Sequence, residues 1–103
     1  MAYEVLWTER AEDDLDAIVS YVAGALGSPR AASDLLDGFD ALAEALSATP
    51  EMRAVSATPA LARRGLRAYP VGGYVALYSF DGERVVIFRV VHQRQDYARL
   101  IGG

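Results

Sequence analysis

The stretch His92-Gln93-Arg94-Gln95-Asp96-Tyr97 gathers the densest set of groups able to do chemistry. An imidazole titrating near neutrality can serve as a base or bind the phosphate or carboxylate of a partner. The planar fork of Arg94 suits the same anions. Asp96 offers a carboxylate base, although its charge also repels phosphate. Tyr97 can pack its ring while its hydroxyl binds outward. A second group, Arg63, Arg64 and Arg67, lies upstream. On a strand Arg63 and Arg67 share one face and Arg64 takes the other, so only part of this group can address a single partner. Each set has a plainer reading as well. His92 can bond backbone at a sheet edge, Arg94 and Asp96 can form a surface ion pair of little worth, and the arginines can guard a strand edge.

Several kinds of site are excluded by composition. Without cysteine there are no disulfides, thiolate nucleophiles or cysteine-based zinc sites. His92 is the one histidine, which removes a zinc site built on histidines. Gly72-Gly73 reads as a turn, and the glycines lack the spacing of a phosphate-binding loop. The sequence implies no cofactor and no metal. No run approaches the length of apolar residues that spans a membrane, and the opening Met-Ala-Tyr-Glu-Val-Leu is not a signal peptide. A soluble, cytoplasmic protein is expected.

The net charge of −4 conceals an asymmetry. Residues 1–51 carry eleven acids against Arg10 and Arg30, whereas residues 52–103 carry eight arginines against Asp81, Glu83 and Asp96. An acidic half and a basic half therefore share one chain, and the basic half can face an anionic partner despite the acidic total. Every basic residue is arginine, which suits phosphate and carboxylate recognition but follows equally from GC-rich coding.

The elements that must position these groups are legible in outline. With 103 residues and 52% hydrophobic composition, the chain forms one domain with one core. Tyr3, Val5 and Trp7 alternate with Glu4, Leu6 and Thr8, predicting a short strand with one buried face. Thr8 can cap a helix whose apolar stripe is Ala11, Leu15, Ile18, Val22 and Leu26, ending near Gly27. Ser28-Pro29 starts a second helix, with Leu35, Phe39, Leu42 and Leu46 inward and Pro50 at its end. Asp34, Asp37, Asp40 and Glu44 make its outer face acidic. Trp7 and Tyr21 read as core residues. Residues 51–62 read as an irregular connection. Strands follow over Arg63–Tyr69, Tyr74–Phe80 and Arg84–Val91. Pro70-Val71-Gly72-Gly73 forms one turn, and Asp81-Gly82 is a strong two-residue hairpin signal. The tail from His92 to Ile101 can form a last short helix that carries Tyr97, Leu100 and Ile101 inward. The expectation is an α+β fold: an N-terminal strand and an antiparallel helix hairpin packed on a mostly antiparallel four-stranded sheet, closed by a short helix or tail.

In this order the pieces resemble the RelE/ParE superfamily of toxins from type II toxin–antitoxin (plasmid stabilisation) systems. The resemblance is carried by Trp7-Thr8, then Ala11, Asp14-Leu15, Ile18 and Tyr21, then Ser28-Pro29-Arg30. It continues through Leu66-Arg67, Tyr74 and Tyr78, and closes with Ile87, Val90, His92, Arg94, Asp96 and Tyr97. It covers nearly the whole chain. It implies a cognate antitoxin as partner, a toxin–antitoxin hetero-oligomer and no membrane. The antitoxin's extended segment would fold on binding over the sheet and the helix hairpin.

The superfamily holds two kinds of toxin. One cuts messenger RNA on the ribosome by acid–base chemistry; the other inhibits DNA gyrase by binding it. For the cutting branch the resemblance assigns Arg67, Arg94 and Tyr97 as catalytic residues. It leaves Arg63, Arg64, His92 and Asp96 for partner binding. Three departures weaken that branch. Val75 stands where its sheet arginine would be, Asp96-Tyr97 replaces a His-Tyr ending, and the acidic total contrasts with the strongly basic ribosome-targeted members. The closing Val90, His92, Arg94 and Asp96 match the gyrase branch, which is therefore the expected one. Ribosome-dependent mRNA cleavage is the alternative. A third reading is a non-toxic relative that binds its antitoxin and takes part in autoregulation. A basic, acid-poor sheet face would favour cleavage, and an exposed helix hairpin would favour gyrase.

Overall fold

In a computed structural model of the chain, which describes residues 2–102, the first strand β1 (Glu4–Trp7) passes into helix α1 (Glu9–Ser20) at Thr8. The Thr8 hydroxyl accepts from the Ala11 amide at 3.0 Å and donates to the Phe88 carbonyl at 2.8 Å. One side chain thus starts the helix and pins it to the sheet. Glu9 and Glu12 occupy the first turn, where the helix dipole favours acids. The helix widens into a π-helical turn over Tyr21–Ala25, and the chain reverses at Gly27, whose φ of +63° needs a glycine. Ser28 caps α2 (Pro29–Ala48) by accepting from the Ala31 amide, with Pro29 in the first turn as expected.

The sheet is built from β1, β2 (Arg67–Val71), β3 (Tyr74–Phe80) and β4 (Arg84–His92), in the order β1-β4-β3-β2. The β1–β4 pair is parallel and the other two are antiparallel. Strand β2 stops later than expected: Pro70 and Val71 belong to it, and the turn is Gly72-Gly73 alone. A proline is tolerated there because β2 is an edge strand. At the next turn Asp81 accepts from the amides of Glu83 and Arg84, both at 2.8 Å, around Gly82. These bonds hold the Asp81 carboxyl below its ordinary range. Between Leu77 and Tyr78 the β3–β4 register shifts, leaving Phe88 without a partner opposite it.

Both faces of the sheet are covered. On one face Phe39, Leu42 and Leu46 of α2 and Ala11 of α1 pack against Ala76, Tyr78, Val85, Ile87 and Val90. On the other, Leu61 of α3 (Pro59–Ala62) and Ile101 of α4 (Tyr97–Gly102) close over Leu66, Val75, Leu77 and Val91. The last helix brings Ile101 inward but leaves Leu100 52% exposed, so the expectation that both point inward holds for one of them. Tyr21, expected in the core, is 54% exposed because it sits on the π-helical turn beyond the sheet-packed part of α1.

Helix α2 crosses β2 closely at Gly38. A Cβ added there would lie 2.8 Å from Cγ1 of Val71, a β-branched side chain with little freedom to move. Gly38→Val is therefore expected to lose about 2 kcal/mol in urea denaturation, as overpacked cores do. Retained stability would mean that α2 can lift off β2 at no cost.

Candidate functional site

The arginine group does not lie on one strand. Thr58-Pro59 begins the short helix α3, Leu61 is buried beneath it, and Arg63 is its C-cap. Arg64 follows in the turn, and Gly65, at φ +64°, redirects the chain into β2. The strand expected over Arg63–Tyr69 therefore starts only at Arg67. Pro59 and Gly65 are the start and stop signals of a helix within the stretch expected to be irregular over residues 51–62. Arg63 and Arg64 are exposed. The Arg64 guanidinium lies 5.5 Å from the centre of the Phe88 ring, over a shallow pocket completed by Leu66, Ser79 and Val86. Leu6, beside Val86 in register, is 42% exposed.

Arg67 faces the opposite way. It stands across from Tyr78 in the β2–β3 register, so it shares the face that α1 and α2 cover. Its Nη1 donates to the Arg53 carbonyl at 2.6 Å, and its buried Nε has no partner among the described residues. Tyr97, by contrast, packs half-buried against the cluster on the other face. The sheet lies between the two.

His92 is the last residue of β4 rather than the first after it. Its ring meets Tyr74 edge-on, with centroids 5.3 Å apart. Its Nδ1 accepts from the Arg94 amide at 3.1 Å, and its own amide donates to Gln95 Oε1 at 2.9 Å. The histidine thereby shapes the turn that displays Arg94, which is exposed. Asp96 does not pair with Arg94 among the described residues. Its carboxylate accepts instead from the Arg99 amide at the start of α4.

The best-built polar contact of the fold involves residues that the sequence does not single out as a pair. Asp14 Oδ2 accepts from Arg89 Nε at 2.7 Å and from the Val90 amide at 3.0 Å, while Asp14 Oδ1 accepts from Arg89 Nη2 at 3.3 Å. Both side chains are nearly enclosed, at 12% and 15% exposure. With Tyr74, His92 and Gln95 they line a pocket where β4 runs past the end of β1. The signal was present: an arginine inside the apolar run Val-Val-Ile-Phe-Arg-Val-Val needs a counter-charge. No cluster of metal-ligating side chains occurs among the described residues, and no described helix is long and apolar enough to cross a membrane.

Arg64 and His92 thus each line a pocket and Arg94 is exposed, whereas Arg67 and Tyr97 are held apart. Comparison with known proteins identifies the fold. A chain from the chromosomal ParDE toxin–antitoxin system of P. aeruginosa is 21% identical, with a TM-score of 0.69 over 88% of this chain and 96% of that one. No curated protein matches. Residues 5–97 match the family described as the ParE toxin of the type II toxin–antitoxin system parDE. Spanning nearly the whole sequence, that match makes this chain a member of the ParE toxin family, within the RelE/ParE superfamily.

Proposed function

We propose that this ParE-family toxin stops growth by binding DNA gyrase, without cutting RNA, and that its cognate antitoxin neutralises it by covering the binding surfaces. One observation carries this reading: Arg67 and Tyr97, two of the three side chains an RNA-cleaving site would need, are on opposite faces of the sheet. In-line attack on a phosphate needs a base, an acid and a cation around one phosphorus. A four-stranded sheet between two of them argues against that. Val75, at the position of the cleaving branch's arginine, is buried, so no cation replaces it there. The exposed helix hairpin, with Tyr21 and Leu26 more than half exposed, suits binding to a protein.

The test is to titrate purified chain into a gyrase reaction on relaxed plasmid, beside a cell-free translation reaction. Supercoiling should stop while translation continues. Translation arrest with cut messenger RNA and active gyrase would overturn the reading. Activity in neither reaction, with no effect on growth, would leave the non-toxic antitoxin-binding relative. In cells, Arg94→Ala should raise the dose needed for growth arrest roughly tenfold, as loss of an anchoring arginine does at an interface. Undiminished toxicity of the folded variant would remove Arg94 from the target surface.

A further inference from the structure

The two helices of the hairpin enclose a groove whose chemistry is opposite to that of the arginine-bearing face. Its apolar floor is Trp7, Leu15, Leu36, Phe39 and Ala43. Trp7 and Phe39 meet edge-on with ring centroids 6.1 Å apart, and Leu36 is 42% exposed. Its rim carries three exposed carboxylates, Glu12 and Asp16 from α1 and Asp40 from α2. None of these forms an ion pair among the described residues. They stand in the half of the chain that holds eleven of the fourteen acids.

We infer that this groove is a second surface that grips gyrase, besides the one that displays Arg94, and that its occupant is a basic amphipathic helix of that enzyme. The inference rests on the gyrase reading and gives it a place on the molecule. The rim repels a phosphate backbone, so nucleic acid does not enter. The floor offers aromatic and aliphatic surface to apolar side chains spaced along one helix face, the mode in which grooves between helices take a third. Lysine or arginine flanking those side chains would meet Glu12 and Asp16 on one side and Asp40 on the other. An acidic helix would meet like charge on both.

Binding of purified gyrase to the immobilised chain tests this with three variants. Asp16→Lys/Asp40→Lys reverses the rim at exposed positions, and its affinity should fall roughly a hundredfold. Leu36→Ser leaves the charge unchanged and should weaken binding roughly tenfold by removing part of the floor. Asp34→Lys/Glu51→Lys makes the same change in net charge at exposed positions outside the groove, and should stay within about twofold of the parent. Circular dichroism checks that each remains folded. If the parent binds gyrase and the rim variant binds equally well, or no worse than the Asp34/Glu51 variant, the groove is not the docking site. If the parent does not bind gyrase at all, the gyrase reading itself fails and takes this occupant with it.

Discussion

Tyr78→Ala should lower the stability of the protein by about 4 kcal/mol, the range seen when a large buried ring is removed. Tyr78 has no exposed surface, stands beside the register shift of the β3–β4 pair, and packs with Phe39, Leu42 and Leu46 of α2. Its hydroxyl donates to the Pro50 carbonyl at 3.1 Å, tying the chain beyond α2 to the middle of the sheet. Alanine would leave a cavity and strip Pro50 of its partner at once. Tyr78→Phe removes the hydrogen bond alone and should cost about 1 kcal/mol. It should also change the alkaline response. Burial pushes the phenol above its ordinary pKa of 10.0, outweighing the Arg53 backbone bond and the charges of Arg67 and Arg53 that pull it down. The folded state therefore favours the neutral ring. That contribution is full below the unfolded pKa and is lost as the pH rises through the folded one. Urea denaturation at neutral pH and at about pH 10.5 should show a smaller alkaline loss in Tyr78→Phe than in the parent. Equal losses would mean that Tyr78 ionises as freely in the fold as outside it.

Asp14→Ala comes next, with an expected loss of about 3 kcal/mol. The substitution would leave the Arg89 guanidinium, at 15% exposure, without its counter-charge, and the Val90 amide without an acceptor. Leaving a charge unpaired in such a place is worse than having no pair. The double variant Asp14→Ala/Arg89→Met, which removes both charges, should therefore recover much of the loss. The 3.4 Å contact to Arg10, which is largely exposed, adds little. Small domains are stable by about 5–15 kcal/mol, so the single variant should show a clearly lower denaturation midpoint. A loss below about 1 kcal/mol would reduce the pair to an ordinary surface contact.

What could be read from the sequence was mostly local. Thr8, Ser28-Pro29 and Gly27 act within one turn of themselves and do in the structure what their chemistry predicts, whereas the turn expected at Asp81-Gly82 alone takes in Glu83 as well. Misreadings arose where a distant partner or a weak local signal decides. The four-residue helix α3 is too short to show a period, so by pattern alone Arg63 and Arg64 read as strand. By residue type alone Arg67 reads as available for chemistry. Its true surroundings, Tyr78 across the strand pair and the Arg53 carbonyl, come from register and from a loop that has no pattern of its own. Asp14 looked like one more acid suited to a helix start; its partner Arg89 is 75 positions away. The acidic rim at Glu12, Asp16 and Asp40 was visible only as scattered charge until α1 and α2 were placed side by side.

The parallel pairing of β1 with β4 bears on how the protein is made. Glu4 and Arg84, which face each other in that pair, are 80 positions apart. While the ribosome is extending the chain, β1 has no partner until β4 has emerged, and α1 lacks the Phe88 carbonyl that holds Thr8. Closing so long a loop is slow and comes late. The hairpin can form early, but the sheet beneath it cannot be completed before nearly the whole chain is synthesised. A message cut short upstream of β4 would yield a peptide with an incomplete sheet, so the complete fold exists only after the last strand has been translated.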